Sequence, residues 1–149
     1  MGGRAGVRRV LIVEDDPEMR RLLADFLREE GIGVAEAADV TEALRWVSEE
    51  RFDGVILDKN LPDGSGLDLL PRLAARFPGL PVILITAFGD PWIRHEASAR
   101  GASALLLKPF SLDDLLAAVR RGGVQESGAR RRPGPSGASG GPAGKGEER

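Results

Sequence analysis

Four short apolar runs in this chain each stop at one polar or charged side chain, and that pattern leaves few folds open. They are Val10-Leu11-Ile12-Val13 before Glu14, Val55-Ile56-Leu57 before Asp58, Val82-Ile83-Leu84-Ile85 before Thr86, and Ala104-Leu105-Leu106-Leu107 before Lys108. Runs this short, rich in Val, Ile and Leu and without polar alternation, read as strands buried on both faces. Between them apolar residues recur three and four apart: Met19, Leu22, Leu23, Phe26 and Leu27, then Ala43, Leu44 and Val47, then Leu67, Leu70, Leu73 and Ala74. Those segments are helices with one apolar stripe. With a short second strand at Gly33 to Ala37, strand and helix alternate five times. Helical crossovers impose parallel pairing and right-handed connections. The expected fold is α/β, a doubly wound five-stranded parallel sheet in the order 2-1-3-4-5 with five helices on its faces.

The punctuation agrees. Asp16 is placed as an N-cap with Pro17 at the first helical position, and Gly31 is a natural stop for that helix. Asp39 caps a helix through about residue 50, and Pro78-Gly79 and Gly101 end the next two. Ser111 to Asp114 opens a last helix through about Arg121. Trp46 reads as a partly exposed packing residue.

Length and composition bound the rest. A chain of 149 residues makes one domain with a substantial core. It has no cysteine, so thiolate metal sites and disulfides are excluded, and no apolar run approaches a membrane span. A cytoplasmic protein is expected. Residues 1–121 hold 16 Lys/Arg against 20 Asp/Glu, which argues against nucleic-acid binding by the folded part. The last 28 residues contain nine Gly and three Pro, with Val124 as the one large apolar side chain. Residues 122–149 are therefore expected to form a disordered, solvated tail, Arg130-Arg131-Arg132 included.

In the order 2-1-3-4-5 the strand ends carrying Asp15 and Asp16, Asp58, Thr86 and Lys108 converge on one crevice at the topological switch point. Three carboxylates there repel; a like pair at ~4 Å and an effective dielectric of ~20 costs about 4 kcal/mol. Lys108 is one compensating charge. A hard divalent cation on oxygen ligands, Mg2+ or Mn2+, is the other. Such a cation is poised to take phosphate oxygens. Asp58 can then act as a nucleophile forming an aspartyl phosphate. Lys108, Thr86 and the backbone N–H groups at Asn60 and Ala87 can neutralise the transferring group.

These residues resemble the receiver domain of bacterial two-component response regulators. The likeness rests on Glu14-Asp15-Asp16, Asp58, the turn Leu61-Pro62-Asp63-Gly64-Ser65-Gly66, Thr86-Ala87 and Lys108-Pro109-Phe110, and it covers about residues 7–121. Leu69-Leu70-Pro71 and the stretch Leu84 to Asp90 look most like receivers that act with sigma-54 polymerase. The resemblance implies a flavodoxin-like receiver domain over 1–121 that is a signalling protein rather than an enzyme. Asp58 would take phosphate from the phosphohistidine of a sensor kinase or phosphotransfer protein. Mg2+ would be held by Asp15, Asp16, Asp58 and the carbonyl of Asn60, with Asp15 acting through water. Lys108 would pair with Asp58 and then with phosphate, Thr86 would swing toward it, and Lys108-Pro109 would be a cis peptide. A downstream partner would read the change on residues 91–121. A phosphorylation-dependent dimer through the helix at 91–100 is left open.

Two departures follow. Leu105 stands where many receivers carry an aromatic ring that turns inward. No DNA-binding or ATPase domain follows, so output is expected through a bound partner, or this is a piece of a longer regulator. Phe88, two residues past Thr86, is expected to hinder in-line water and prolong the phosphate's life. His95, the one histidine, is expected on a surface helix far from the strand ends and is not expected to carry a phosphorelay role. Two rivals share parts of the pattern. A haloacid-dehalogenase-type phosphatase needs an acid two residues past the nucleophile, where Asn60 stands. A nucleotide or flavin module needs a Gly-rich loop after strand one, where Glu14-Asp15-Asp16 would repel phosphate.

Overall fold

All four apolar runs form strands, and so does the shorter second one. The computed structural model describes residues 6–87 and 89–124. The chain runs β1 (Arg9–Val13), α1 (Pro17–Glu29), β2 (Gly33–Ala37), α2 (Val40–Glu49), β3 (Gly54–Asp58), β4 (Asn60–Leu61), β5 (Gly64–Ser65), α3 (Gly66–Arg76), β6 (Val82–Thr86), α4 (Pro91–Ala99), β7 (Ala104–Leu107) and α5 (Leu112–Val124). Five strands form one parallel sheet ordered β2-β1-β3-β6-β7. That is the expected 2-1-3-4-5 once the two-residue strands β4 and β5, which pair with each other, are set aside.

Alternation along the strands splits the core in two, because successive side chains of a strand leave opposite faces. Leu11, Val13, Val55, Leu57, Val82 and Leu84 pack with α2, α3 and α4 residues such as Val47, Leu70 and Ile93. Val10, Ile12, Ile56, Ile83 and Ile85 pack with Leu23 and Leu27 of α1 and Leu115 and Val119 of α5. The central strands β3 and β6 are buried at every residue. β7 is apolar but half-buried along its whole length, because it is an edge strand with a neighbour on one side only.

The caps explain where helices start. Asp16 accepts the N–H of Glu18, Asp39 that of Glu42 and Asp90 that of Ile93. Gly31 ends α1 at φ 85°, a conformation that L side chains rarely adopt. Two features differ from the sequence reading. The β4–β5 pair was not anticipated, since two-residue strands carry no periodic signal. α5 continues to Val124 rather than stopping near Arg121, because Gly122 and Gly123 weaken a helix without clashing with it. Most of the tail, Arg130-Arg131-Arg132 included, and Phe88 lie outside the described residues. Among those described, no helix is long and apolar enough to cross a membrane.

Candidate functional site

Strand register brings the acids together. Val13 of β1 pairs with Leu57 of β3, so the first polar residue past each run, Glu14 and Asp58, stand level. Both are buried, at 2% and 4% exposure, and so is Thr86 at the end of β6. Carboxylate oxygens of Glu14, Asp15 and Asp58 lie within 4.8 Å of one another. Lys108 reaches in from the end of β7, its Nζ 2.8 Å from Asp58 Oδ2 and 3.4 Å from Glu14 Oε1.

The remaining oxygens of the two buried acids are also engaged. Asp58 Oδ1 accepts the backbone N–H of Asn60 at 2.8 Å, and Glu14 Oε2 accepts that of Asp16 at 3.1 Å. Burial, then hydrogen bonding to Asp58, pushes the Glu14 carboxyl up to about 7. Burial acts on Lys108 in the opposite sense, but its bond to Asp58 and the charge of Glu14 outweigh this and hold its ammonium above the ordinary value. One ammonium therefore faces three carboxyl groups.

Backbone geometry holds Asp58 in place. Lys59 N–H donates to Ile85 O at 2.8 Å, and Lys108 N–H donates to Thr86 O at 2.9 Å. These bonds tie the ends of β3, β6 and β7 into one rim. Lys108-Pro109 is a cis peptide, as the resemblance implied. Gly66 closes the loop with its N–H 2.7 Å from Lys59 O. A Cβ there would stand 2.4 Å from Asp58 O, so no side chain fits without moving the strand end. Asp63 anchors the same loop to α2, accepting Val40 N–H at 2.8 Å, Thr41 N–H at 3.1 Å and Thr41 Oγ1–H at 2.9 Å. The bond from Val40 leads in holding its carboxyl below the usual range.

Of the residues singled out from sequence, Asp15, Asp58, Thr86 and Lys108 sit at this rim. Asn60 contributes its backbone N–H to Asp58. Asp16 does not join the acid group: its carboxylate is spent on the Glu18 N–H as the α1 cap. Glu14 stands there instead. The β1 and β3 runs each stop directly before a buried acid, a hint that only the pairing of the two strands makes decisive. Trp46 is a half-buried packing residue whose Nε1–H donates to Glu36 O at 3.0 Å. His95 is exposed on α4, and Leu105 is half-buried on β7.

A divalent cation fits this donor set. Every candidate ligand is oxygen, Asp15 is exposed while its companions are buried, and the one ammonium leaves negative charge uncompensated.

A family model described as the response regulator receiver domain matches residues 10–120. The chain is 38% identical over 127 residues to the probable transcriptional regulatory protein TcrX of Mycobacterium tuberculosis, covering 81% of this chain and 54% of that one. It is 34% identical over 113 residues to sporulation initiation phosphotransferase F of Bacillus subtilis, covering 76% and 91%. The crystal structure of response regulator protein TrrA from Thermotoga maritima, in complex with Mg(2+)-BeF, matches with a TM-score of 0.68 at 33% identity, over 75% and 96% of the chains. Response regulator protein PilR of Pseudomonas aeruginosa matches at 39% identity over 72% of this chain and 24% of that one, and the DNA-binding transcriptional regulator NtrC of a Bradyrhizobium species at 37% over 75% and 23%. The chain spans about half the length of the mycobacterial regulators it matches.

Proposed function

Because this chain belongs to the response regulator receiver domain family, we propose that it is a phosphoacceptor signalling domain whose Asp58 takes a phosphoryl group from the phosphohistidine of a sensor kinase or phosphotransfer protein. The observation that carries this is a nearly buried carboxylate with an ammonium 2.8 Å away, at the carboxyl edge where sheets of this order bind ligands.

In the transfer, a carboxylate oxygen of Asp58 forms a bond to phosphorus. The bond from phosphorus to the histidine nitrogen breaks, and its electron pair returns to the imidazole. Asn60 N–H and Lys108 hold Asp58 beforehand, so its oxygens are aimed before the donor arrives. Lys108 then moves its charge from Asp58 to the phosphoryl oxygens, and the Thr86 hydroxyl donates to one of them. Glu14, Asp15, Asp58 and the carbonyl of Asn60 would hold Mg2+. When bound, that ion neutralises phosphoryl oxygens during transfer. Asp16 is left to its capping role.

The phosphorylated form is read on residues 91–121, where α4, the half-buried edge β7 and α5 lie; Trp92 on α4 is 57% exposed. A downstream protein binds there and shifts the balance between two conformations by its differential affinity for them. The expected compartment is the cytoplasm.

Incubation with acetyl phosphate and Mg2+, followed by intact mass, tests the reading. Wild type gains one phosphate and Asp58→Asn gains none. Equal gain in both, or no gain in either, overturns it.

A further inference from the structure

We propose that Arg20 is a positioning residue for the divalent-cation site and is itself held by Glu36. This inference rests on the cation reading above.

Arg20 is the fourth residue of α1. Its Nη1 donates to the backbone carbonyl of Glu14 at 2.8 Å, and its Nε lies 3.3 Å from Glu36 Oε1. Glu36 is restrained from two further sides. Its other carboxylate oxygen is 3.4 Å from Arg28 Nη2, and its backbone carbonyl accepts the indole N–H of Trp46.

The Glu14 carbonyl belongs to the peptide that joins Glu14 to Asp15. Fixing that plane fixes the direction in which the Asp15 side chain leaves the backbone. The rest of the segment is already tied: Glu14 N–H to Ala37 O at 3.0 Å, Asp16 N–H to Glu14 Oε2, and Asp16 Oδ1 to Glu18 N–H. Asp15 is the exposed member of the acid group, and among the described residues no hydrogen bond or ion pair holds its carboxylate. Its aim depends on the backbone, and Arg20 grips the backbone between the two acids. Partners that orient ligands rather than bind the metal do this work in other metal sites.

The charge of Arg20 works against this role, because a guanidinium beside a cation site repels the cation. Glu36 offsets that repulsion. The two effects have opposite signs, so substitution separates them. Arg20→Met removes donor and charge while keeping an apolar stem. If charge dominates, Mg2+ binds Arg20→Met more tightly than wild type. If positioning dominates, binding weakens by about 10-fold, the size typical of lost ligand-orienting partners.

The experiment is calorimetric titration of MgCl2 into wild type, Arg20→Met and Arg20→Lys, with melting in EDTA as a fold control. The expected result is weaker binding by Arg20→Met, partial recovery by Arg20→Lys, and melting of the metal-free variants close to wild type. The Mg2+ concentration for half-maximal phosphorylation by acetyl phosphate rises with the loss, while the plateau at saturating Mg2+ stays. Unchanged or tighter Mg2+ binding by Arg20→Met, Arg20→Lys no better than Arg20→Met, or a lowered plateau overturns the proposal. Should Arg20→Met fail to fold, Arg20→Lys decides alone, because it keeps the charge and loses the planar fork; severalfold weaker binding than wild type supports the proposal and unchanged binding refutes it. A wild type that binds no Mg2+ refutes the cation reading itself, a failure distinct from that of Arg20.

Discussion

The two ends of the sheet treat charge in opposite ways. At the amino end, the Arg9, Glu50 and Asp53 side chains each have a partner. Asp53 Oδ2 accepts the N–H groups of Arg8 and Arg9 at 2.8 and 2.9 Å, and Asp53 N–H returns a bond to Arg9 O at 2.8 Å. The Arg9 guanidinium pairs with Glu50 and lies 5.7 Å from the Trp46 ring centroid and 5.2 Å from that of Phe52. At the carboxyl end, three carboxyl groups cluster where one ammonium pairs with only two of them, and two of the three are buried. A charge cluster that only holds a fold together is complete in itself. One built to take up a cation and a phosphoryl group is left short of positive charge, and its shortfall is the driving force for binding.

That contrast is most exposed to attack at Lys108. Lys108→Met should slow phosphorylation from acetyl phosphate by about 100-fold, the scale seen when one preorganised donor is lost. The same change should tighten Mg2+ binding, since it removes the ammonium that competes for the acids. Slower phosphorylation accompanied by weaker Mg2+ binding would mean that Lys108 builds the acid pocket rather than balancing it.

Acid should weaken Mg2+ binding at the carboxyl end next. Glu14 titrates near 7 in the folded, metal-free protein, above its ordinary 4.5. The folded state therefore holds this proton more tightly than the unfolded one. The stability it contributes is fully present below about 4.5 and is lost as pH rises through about 7. Mg2+ must displace the proton, so its affinity should fall by up to about tenfold per pH unit below 7. Melting curves in EDTA and in Mg2+ across pH 5–8 check this: the gap between them should widen with pH, and a constant gap would remove Glu14 from the site.

Gly66→Ala tests whether the rim is rigid. Its Cβ would stand 2.4 Å from Asp58 O and 3.0 Å from Lys59 Cα, both backbone atoms. Overpacking of this kind costs about 1–3 kcal/mol, and Asp58 should be phosphorylated more slowly even well below the melting temperature. Normal phosphorylation in a destabilised variant would show that the strand end yields freely.

Arg9→Ala, at the other end, should have the smallest effect. Exposed cation–π contacts and surface ion pairs are each worth about 1 kcal/mol or less. A small drop in melting temperature with unchanged phosphorylation is expected. A phosphorylation defect would erase the distinction between the two ends.

Much of this was legible beforehand because buried parallel strands write themselves as continuous apolar runs. Val55-Ile56-Leu57-Asp58 announced both a central strand and the position of its acid. Parallel pairing and its handedness were legible because helical crossovers leave few alternatives. What failed to show were pairings between residues far apart in the chain. Asp16 was read among the metal ligands because Glu14-Asp15-Asp16 offers three adjacent acids, and sequence does not say which of them a helix start consumes as its cap. Asp63, Gly66 and Arg20 carry no local signal of their roles, since each acts on a backbone group supplied by another element.

The sequence by itself determined the strands, the helices, their alternation and the polar residue that ends each run, because these depend on periodicity and local capping. Tertiary structure alone decided that Glu14 rather than Asp16 stands level with Asp58, that β7 is half-buried despite being apolar throughout, and that one guanidinium grips the peptide between two acids. The physical reason is register. Only when parallel strands pair do their ends line up, and only then does a charge have neighbours to be balanced against.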